Sequence, residues 1–411
     1  MTMAKSSMKE LEKVRHFIYS CRKCGVCRYK MTGKLPYVCP VKQASPGFEN
    51  FSSRGKIMLA QALLEGQIEP SAGLSRAAYS CTMCGNCMTQ CGATDPDTNS
   101  PLVDNPAIVE ALRADILREH PEYVAEAYHR ALAATRQFGN PWGMPRSARG
   151  KWAKGLKIKN AQKEQADVLL FAGCTMSLNP ELTPRIKKAV AVLRAAGADL
   201  GILGAAEPCC GSVQQRIGDR ELAAEMIANN VKLLNSLGCT TIVTLCAGCC
   251  NMLRKEYAPA EEKLAPKVYH LVEYLARLIK ENKLTFTREQ NITLAYHDPC
   301  HLGRHLEVFD PPRAILKALP GVTLVEQAAT RENTICCGAG GGMRLFDGGI
   351  FAQDMGLEAV QAARNAGAQA LVSACPFCET NLSAASQIAN SPVPVYDIID
   401  LVSDALGIES K

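Results

Sequence analysis

The segments ADVLLFAGC and ITLAYHDPC end at Cys174 and Cys300, 126 residues apart, and the residues after each one keep the same order. EPCCG, with Cys209 and Cys210, returns as TICCG, with Cys336 and Cys337. TIVTLCAGCCNML, with Cys246 and Cys249, returns as ALVSACPFCETNL, with Cys375 and Cys378, and VYHLVEYLARL returns as VYDIIDLVSDAL. Self-similarity at this length marks a duplicated domain rather than a short solenoid repeat. Each copy alternates short β-branched apolar runs with amphipathic stretches such as TPRIKKAVAVLRAAG, the pattern of a parallel sheet covered by helices. Cys174, Cys246, Cys300 and Cys375 stand where apolar runs end, and open α/β sheets bind ligands outside the carboxyl ends of their strands. Five thiols per copy are therefore expected to converge on one sheet edge.

Cysteine is abundant, 20 among 411 residues. The opening MTMAKSSMKELEKVRHF carries charges where a signal peptide needs an apolar stretch, so the chain reads as cytoplasmic, and in a reducing compartment dense cysteine means metal more often than disulfides. Hydrophobic content of 47% and charged content of 21% are ordinary for globular proteins, and the length exceeds what one core usually supports. No apolar run approaches the ~18 residues of a membrane helix, so membrane contact is expected only through a partner. The net charge of +6 and the lack of a basic stripe interleaved with aromatics argue against nucleic acid. Basic residues gather at Arg22, Lys23, Arg28 and Lys30, and again from Arg146 to Lys163, which fits a solvated face or a docking patch for an acidic redox partner.

CRKCGVCRYKMTGKLPYVCP supplies Cys21, Cys24, Cys27 and Cys39, and CTMCGNCMTQCG supplies Cys81, Cys84, Cys87 and Cys91. Three cysteines at i, i+3 and i+6 wrap three corners of an iron-sulfur cube, and in two-cluster ferredoxins the fourth cysteine of each run serves the other cluster. The expected sets are crossed: Cys21, Cys24 and Cys27 with Cys91, and Cys81, Cys84 and Cys87 with Cys39. Zinc usually takes paired CxxC units and has no use for the third cysteine. Cys39 follows Cys27 after eleven residues instead of three, and Gly92 stands where a proline is usual; the first departure implies an inserted loop. SSRGKIMLAQALLEG has the pattern of a capped helix, and residues 106–137 that of a helix interrupted at Pro121.

Adjacent cysteines, about 3.8 Å apart at Cα, do not bond to each other without strain. In NTICCGAGGG and EPCCGS, two neighbouring thiolates can instead reach two metal atoms of one cluster, or bridge them. GAGGG lets backbone and substrate approach with no Cβ in the way. Five ligands exceed the four irons of a regular cube, which points to an irregular cluster.

The C-x34-CC-x35-C-x2-C and C-x35-CC-x37-C-x2-C spacings resemble the paired CCG domains of heterodisulfide reductase. With two ferredoxin motifs fused ahead of them, nearly the whole chain resembles the D subunit of that enzyme and related iron-sulfur subunits of anaerobic electron-transfer complexes. The resemblance implies a noncubane 4Fe-4S cluster in each complete CCG unit, beside two cubane 4Fe-4S clusters in the ferredoxin-like part, and cleavage of a disulfide between two thiol cofactors. Other relatives, in glycolate, lactate and anaerobic glycerol-3-phosphate oxidation, share this layout but serve flavin subunits or quinones. Many of them lose cysteines from one unit, whereas this chain has lost none.

HDPCHLGRH places His297, His301, Arg304 and His305 around Cys300. Imidazoles supply proton donors for departing thiolates and arginine a cation for an anionic substrate, so Cys300, Cys336, Cys337, His297, His301 and Arg304 are the candidate catalytic residues. Asp298 is expected to cap the turn before Pro299, Cys239 and Cys250 to be buried spare thiols, and His270, matched by Asp397 in the second copy, to be structural. The expected organisation is a multidomain α+β and α/β protein: a helical two-cluster ferredoxin-like domain over 1–137, a linker over 138–165, and CCG domains over 166–290 and 291–411. No GxGxxG links a strand to a helix, so a flavin-containing subunit or a membrane cytochrome b is the expected partner. The function expected is disulfide reduction, and the alternative is an electron-transfer subunit between a flavin dehydrogenase and a quinone or membrane cytochrome.

Overall fold

The computed structural model describes residues 8–28 and 37–408. Residues 1–7 of the charged N-terminal stretch, Lys30, and most of the loop expected between Cys27 and Cys39 lie outside them.

The duplication in the sequence is a duplication of sheet topology. The first sheet contains β1 (Lys159–Asn160), β2 (Val168–Phe171), β3 (Leu200–Ile202), β4 (Thr241–Thr244) and β5 (Lys267–His270), all parallel, in the order β1-β3-β2-β4-β5. The second contains β6 (Ile292–Tyr296), β7 (Val322–Val325), β8 (Ala370–Ser373) and β9 (Val395–Asp397), also parallel, in the order β7-β6-β8-β9. Leaving out the edge strand β1, the two orders are the same. Helices cover both faces of the central strands, so β2 (VLLF) and β8 (ALVS) are buried at every position. Chain order reverses between β2 and β4, and again between β6 and β8. These are the switch points where open sheets form a crevice, and Cys174, Cys246, Cys300 and Cys375 sit just past them.

The repeat extends to helix caps. His270 Nδ1 accepts from Val272 N at 3.3 Å and Glu273 returns a bond to His270 N. Asp397 Oδ1 accepts from Ile399 N at 2.7 Å and Asp400 returns the bond. Each cap satisfies orphan donors of the helix it opens, Leu271–Lys280 or Ile398–Ala405.

The N-terminal region is helical. Ser52 Oγ accepts from Gly55 N at 3.0 Å and caps the helix Ser53–Leu64. The stretch after it forms Asn105–Glu119, a 3₁₀ turn at Pro121–Tyr123 and Glu126–Phe138, with Pro121 at the break. Its core residues Ile57, Ile108 and Tyr128 pack with Ile217, Met343 and Met355 from the two sheet units, so all three parts share apolar contacts. Arg113, 0% exposed, sits at their junction. It donates to the carbonyls of Ala78, Tyr79 and Cys81, to Arg216 O of the first sheet unit, and to Gly341 O of the second.

Residues 138–165, expected as a linker, are packed. Arg149 and Trp152 are buried in a 3₁₀ segment and Lys159–Asn160 supplies β1. This local order was hidden because Arg149 looks like one more basic surface residue until its partner, the buried Glu207, is in place.

Candidate cluster sites and the cleft they share

Cys39, Cys81, Cys84 and Cys87 line one small cavity together with Lys56 and Ser53. Cys91 lies in the electrostatic field of Cys21 and Cys24, as the crossed grouping expects, whereas Cys27 lies in the field of Cys39 as well as that of Cys21. Cys24 is exposed, whereas Cys84 is buried; the first set is outer and the second inner.

In the first sheet unit, Cys174, Cys209, Cys210, Cys246 and Cys249 line a second cavity, with Cys174 Sγ 3.9 Å from Cys209 Sγ. Gly173, at φ +80, leaves room there: a Cβ would stand 3.1 Å from Cys249 Sγ. Arg149 and Glu207 pair at 3.0 Å, and Glu207 accepts from Ala172 N and Gly173 N at 2.9 Å, which fixes the turn carrying Cys174. Asn230 donates to Cys209 O at 2.8 Å and Tyr257 to Cys210 O at 3.0 Å. In the second unit Asn381 donates to Cys337 O at 2.6 Å. These anchors carried no sequence signal, because the two units draw them from different helices.

The thiols form a continuous series across the molecule. Cys84 packs with Cys300 and Cys336 in one buried cluster, Cys336 and Cys337 shift one another's ionisation, and so do Cys337 and Cys378, and Cys378 and Cys375. Cys375 and Cys246 of the first unit shift one another's ionisation across the units, as Cys246 and Cys249 do within the first. The contact with Cys336, reinforced by burial, pushes the Cys84 thiol well above its ordinary value, whereas Cys246 and Cys378 hold Cys375 well below. Cys375 and Cys378 also sit at the start of the helix Pro376–Ile388, whose dipole favours thiolate.

Every cysteine of the chain is a free thiol. Soft thiolates in this density suit iron-sulfur chemistry, and five around one cavity exceed the four of a tetrahedral zinc site. The donor sets fit iron-sulfur clusters.

The glycine run is explained by packing. A Cβ at Gly341 would stand 2.4 Å from Cys81 O and one at Gly340 2.8 Å from Thr82 O. The backbone that approaches GAGGG is thus that of the N-terminal cysteine motif, and the glycines let it dock.

A cleft opens between the two sheet units. Cys300, Cys337, Cys375 and Cys378 line one wall and Val213 and Gly248 the other. His301 lies in it, its Nδ1 3.4 Å from Cys300 Sγ and its ring stacked 4.8 Å from that of His305. Burial holds His301 well below the usual histidine range, and His297 down to about 4, so both rings are neutral near pH 7. His297 groups with Cys337 and Cys378, their donor atoms within 4.8 Å of one another.

Arg304 does not serve the cleft as expected. Its guanidinium bonds to the carbonyls of Glu332, Thr334 and Cys84, and His305 Nε2 lies 2.9 Å from Met83 O; both side chains clamp the N-terminal motif. Asp298 pairs with Arg313 at 2.7 Å and 2.9 Å rather than capping a turn. Two cations line the cleft: Arg216, paired with Glu110 and Glu256, and Arg344, over the Phe377 ring at 5.9 Å and without a carboxylate partner among the described residues. Trp142, 6.1 Å from Phe377 between ring centres, adds a buried Nε1 with no acceptor among the described residues. Phe377 could have been found from its place with Pro376 between Cys375 and Cys378, but nothing near Trp142 in the sequence signalled a site.

Two family models match the chain: a 4Fe-4S dicluster domain over residues 17–94, and a cysteine-rich domain over 168–254 and again over 294–383. The D subunit of the dihydromethanophenazine:CoB–CoM heterodisulfide reductase of Methanosarcina barkeri is 32% identical over 95% of this chain and 95% of its own length. EtfAB:quinone oxidoreductase of Syntrophomonas wolfei is 28% identical over 81% of this chain and 47% of its own. A crystal structure of a hypothetical protein from Helicobacter pylori is alike in fold, with a TM-score of 0.56 at 12% identity, covering 99% of this chain and 74% of that one.

Proposed function

The chain belongs to the family of iron-sulfur oxidoreductases formed by the heterodisulfide reductase D subunits, and on that premise we propose that it cleaves a disulfide in the cleft between its two cysteine-rich units. The observation that supports the reading is the lining of the cleft, where Cys300, Cys337, Cys375 and Cys378 of the second unit face Ala247 and Gly248, the two residues that follow Cys246 in the first. The proposed ligands are Cys21, Cys24, Cys27 and Cys91, and Cys39, Cys81, Cys84 and Cys87, for two cubane clusters. Cys174, Cys209, Cys210, Cys246 and Cys249, and Cys300, Cys336, Cys337, Cys375 and Cys378, would hold two noncubane ones. When bound, the clusters supply one-electron transfer.

Cleavage of R–S–S–R′ takes up two electrons and two protons, breaks the sulfur–sulfur bond and releases two thiols. The electrons come from a redox partner subunit carrying flavin or a cytochrome. In this reading Phe377 and Val213 receive the apolar part of the substrate, Arg344 and Trp142 Nε1 hold an anionic substituent, and neutral His301 offers its N–H to the departing sulfur beside Cys300. No helix among the described residues is long and apolar enough to cross a membrane, so membrane contact is proposed only through such a partner.

The test is a panel of disulfides, coenzyme-type heterodisulfides included, added to the anaerobically reduced full chain with and without an electron-donating partner. Disulfide-dependent reoxidation with stoichiometric thiol release is expected. Reoxidation by a quinone or a flavoprotein alone would favour an electron-transfer subunit instead.

A further inference from the structure

Two cations are buried at the inner thiol set without a counter-ion. Lys56 is 1% exposed, lines the cavity of Cys39, Cys81, Cys84 and Cys87, and donates from Nζ to Phe51 O at 2.5 Å. Arg113, fully buried, directs its donors to five backbone carbonyls, that of Cys81 among them at 2.8 Å. Among the described residues no carboxylate forms an ion pair with either. Carbonyl oxygens satisfy hydrogen bonds but do not neutralise charge, and two desolvated like charges are costly unless an anion accompanies them. The anion that the surroundings offer is the inner thiolate set and whatever it holds. The outer set is different: Cys24 is exposed and its neighbours Arg22 and Lys23 are surface residues, whose charge water and salt screen.

We infer that Lys56 and Arg113 compensate the negative charge of the cluster held by Cys39, Cys81, Cys84 and Cys87 and so raise its reduction potential. Burial alone opposes the extra negative charge of the reduced form, and positive charge on Lys56 in the cavity and on Arg113 at Cys81 O offsets that penalty. The inference rests on the cluster reading of these four thiols, which the iron and sulfide content of the unaltered chain tests separately.

Lys56→Met keeps the aliphatic stem and removes the charge, Lys56→Arg keeps the charge, and Lys56→Gln is the neutral variant to read where Lys56→Met loses iron. The measurement is a redox titration of the full chain followed by electron paramagnetic resonance, with the outer cluster identified by its loss in Cys91→Ala. At unchanged iron content, the neutral variant should lower the reduction equilibrium of the inner cluster at least tenfold, about 59 mV for a one-electron couple. The outer cluster and Lys56→Arg should stay in place, and the shift should persist at high salt. Iron lost from both neutral variants but kept in Lys56→Arg would equally support charge compensation. An unshifted potential at full iron content, or the same shift in Lys56→Arg, overturns the inference.

Discussion

Cys84 and Cys336, 252 residues apart in the chain, pack in one buried cluster with Cys300 and shift one another's ionisation. One belongs to the N-terminal cysteine motif and the other to the second sheet unit, so the two thiol groups adjoin without an intervening side chain. Cys246 and Cys375 repeat the relationship between the sheet units. If electrons pass through these two junctions, their order is the N-terminal motifs, the second unit, then the first.

Cys336→Ser should interrupt that order at one point. The eight N-terminal thiols are untouched, so their clusters should still accept electrons, while disulfide-dependent reoxidation in rapid-mixing absorbance falls by roughly tenfold or more. An unaltered rate would mean that electrons leave the inner motif by another face.

The crossed grouping of the N-terminal cysteines predicts which iron each substitution removes. With four clusters the anaerobic protein should hold about 16 iron atoms. Cys91→Ala should cost the outer cluster, with the resonance of the inner one unchanged, and Cys39→Ala should do the reverse; the opposite pattern in iron content and spectra would refute the pairing.

Gly341→Ala tests the docking of the two parts. The new Cβ would meet Cys81 O at 2.4 Å at a φ of +60, and the expected destabilisation is about 1–3 kcal/mol with easier proteolysis of the N-terminal motif. Gly348→Ala is the control, since its φ of +68 is similar but nothing lies within 4 Å. Denaturation midpoints should separate the two variants, and equal effects would mean that backbone strain alone is being measured.

Arg344→Gln should act on substrate selection. If the guanidinium holds an anionic substituent, KM for carboxylate- or sulfonate-bearing disulfides should rise by roughly tenfold or more, the range of a hydrogen bond to a charged group, and that for neutral disulfides should not. Steady-state kinetics with both classes decide it, and a uniform effect would remove Arg344 from recognition. The same assay on Arg304→Gln should show no such discrimination, because Arg304 is engaged with backbone carbonyls.

The sequence by itself determined the duplicated topology. Short β-branched apolar runs and helical apolar patterns are local, and two copies of one pattern build two sheets of one strand order, with Cys174 and Cys300 at matching strand ends. The cap at Ser52 was equally legible, and His270, matched by Asp397, as structural, since all three act on donors within three residues. Only the tertiary structure decided what those local units do to one another. That GAGGG receives Cys81 and Thr82, that Arg304 clamps Cys84 while Arg344 faces the cleft, and that Trp142 and Lys56 stand beside thiols are contacts between segments tens to hundreds of residues apart. No periodicity in a chain records such contacts, because they follow from how finished surfaces pack, and the partner that gives each side chain its role lies on another surface.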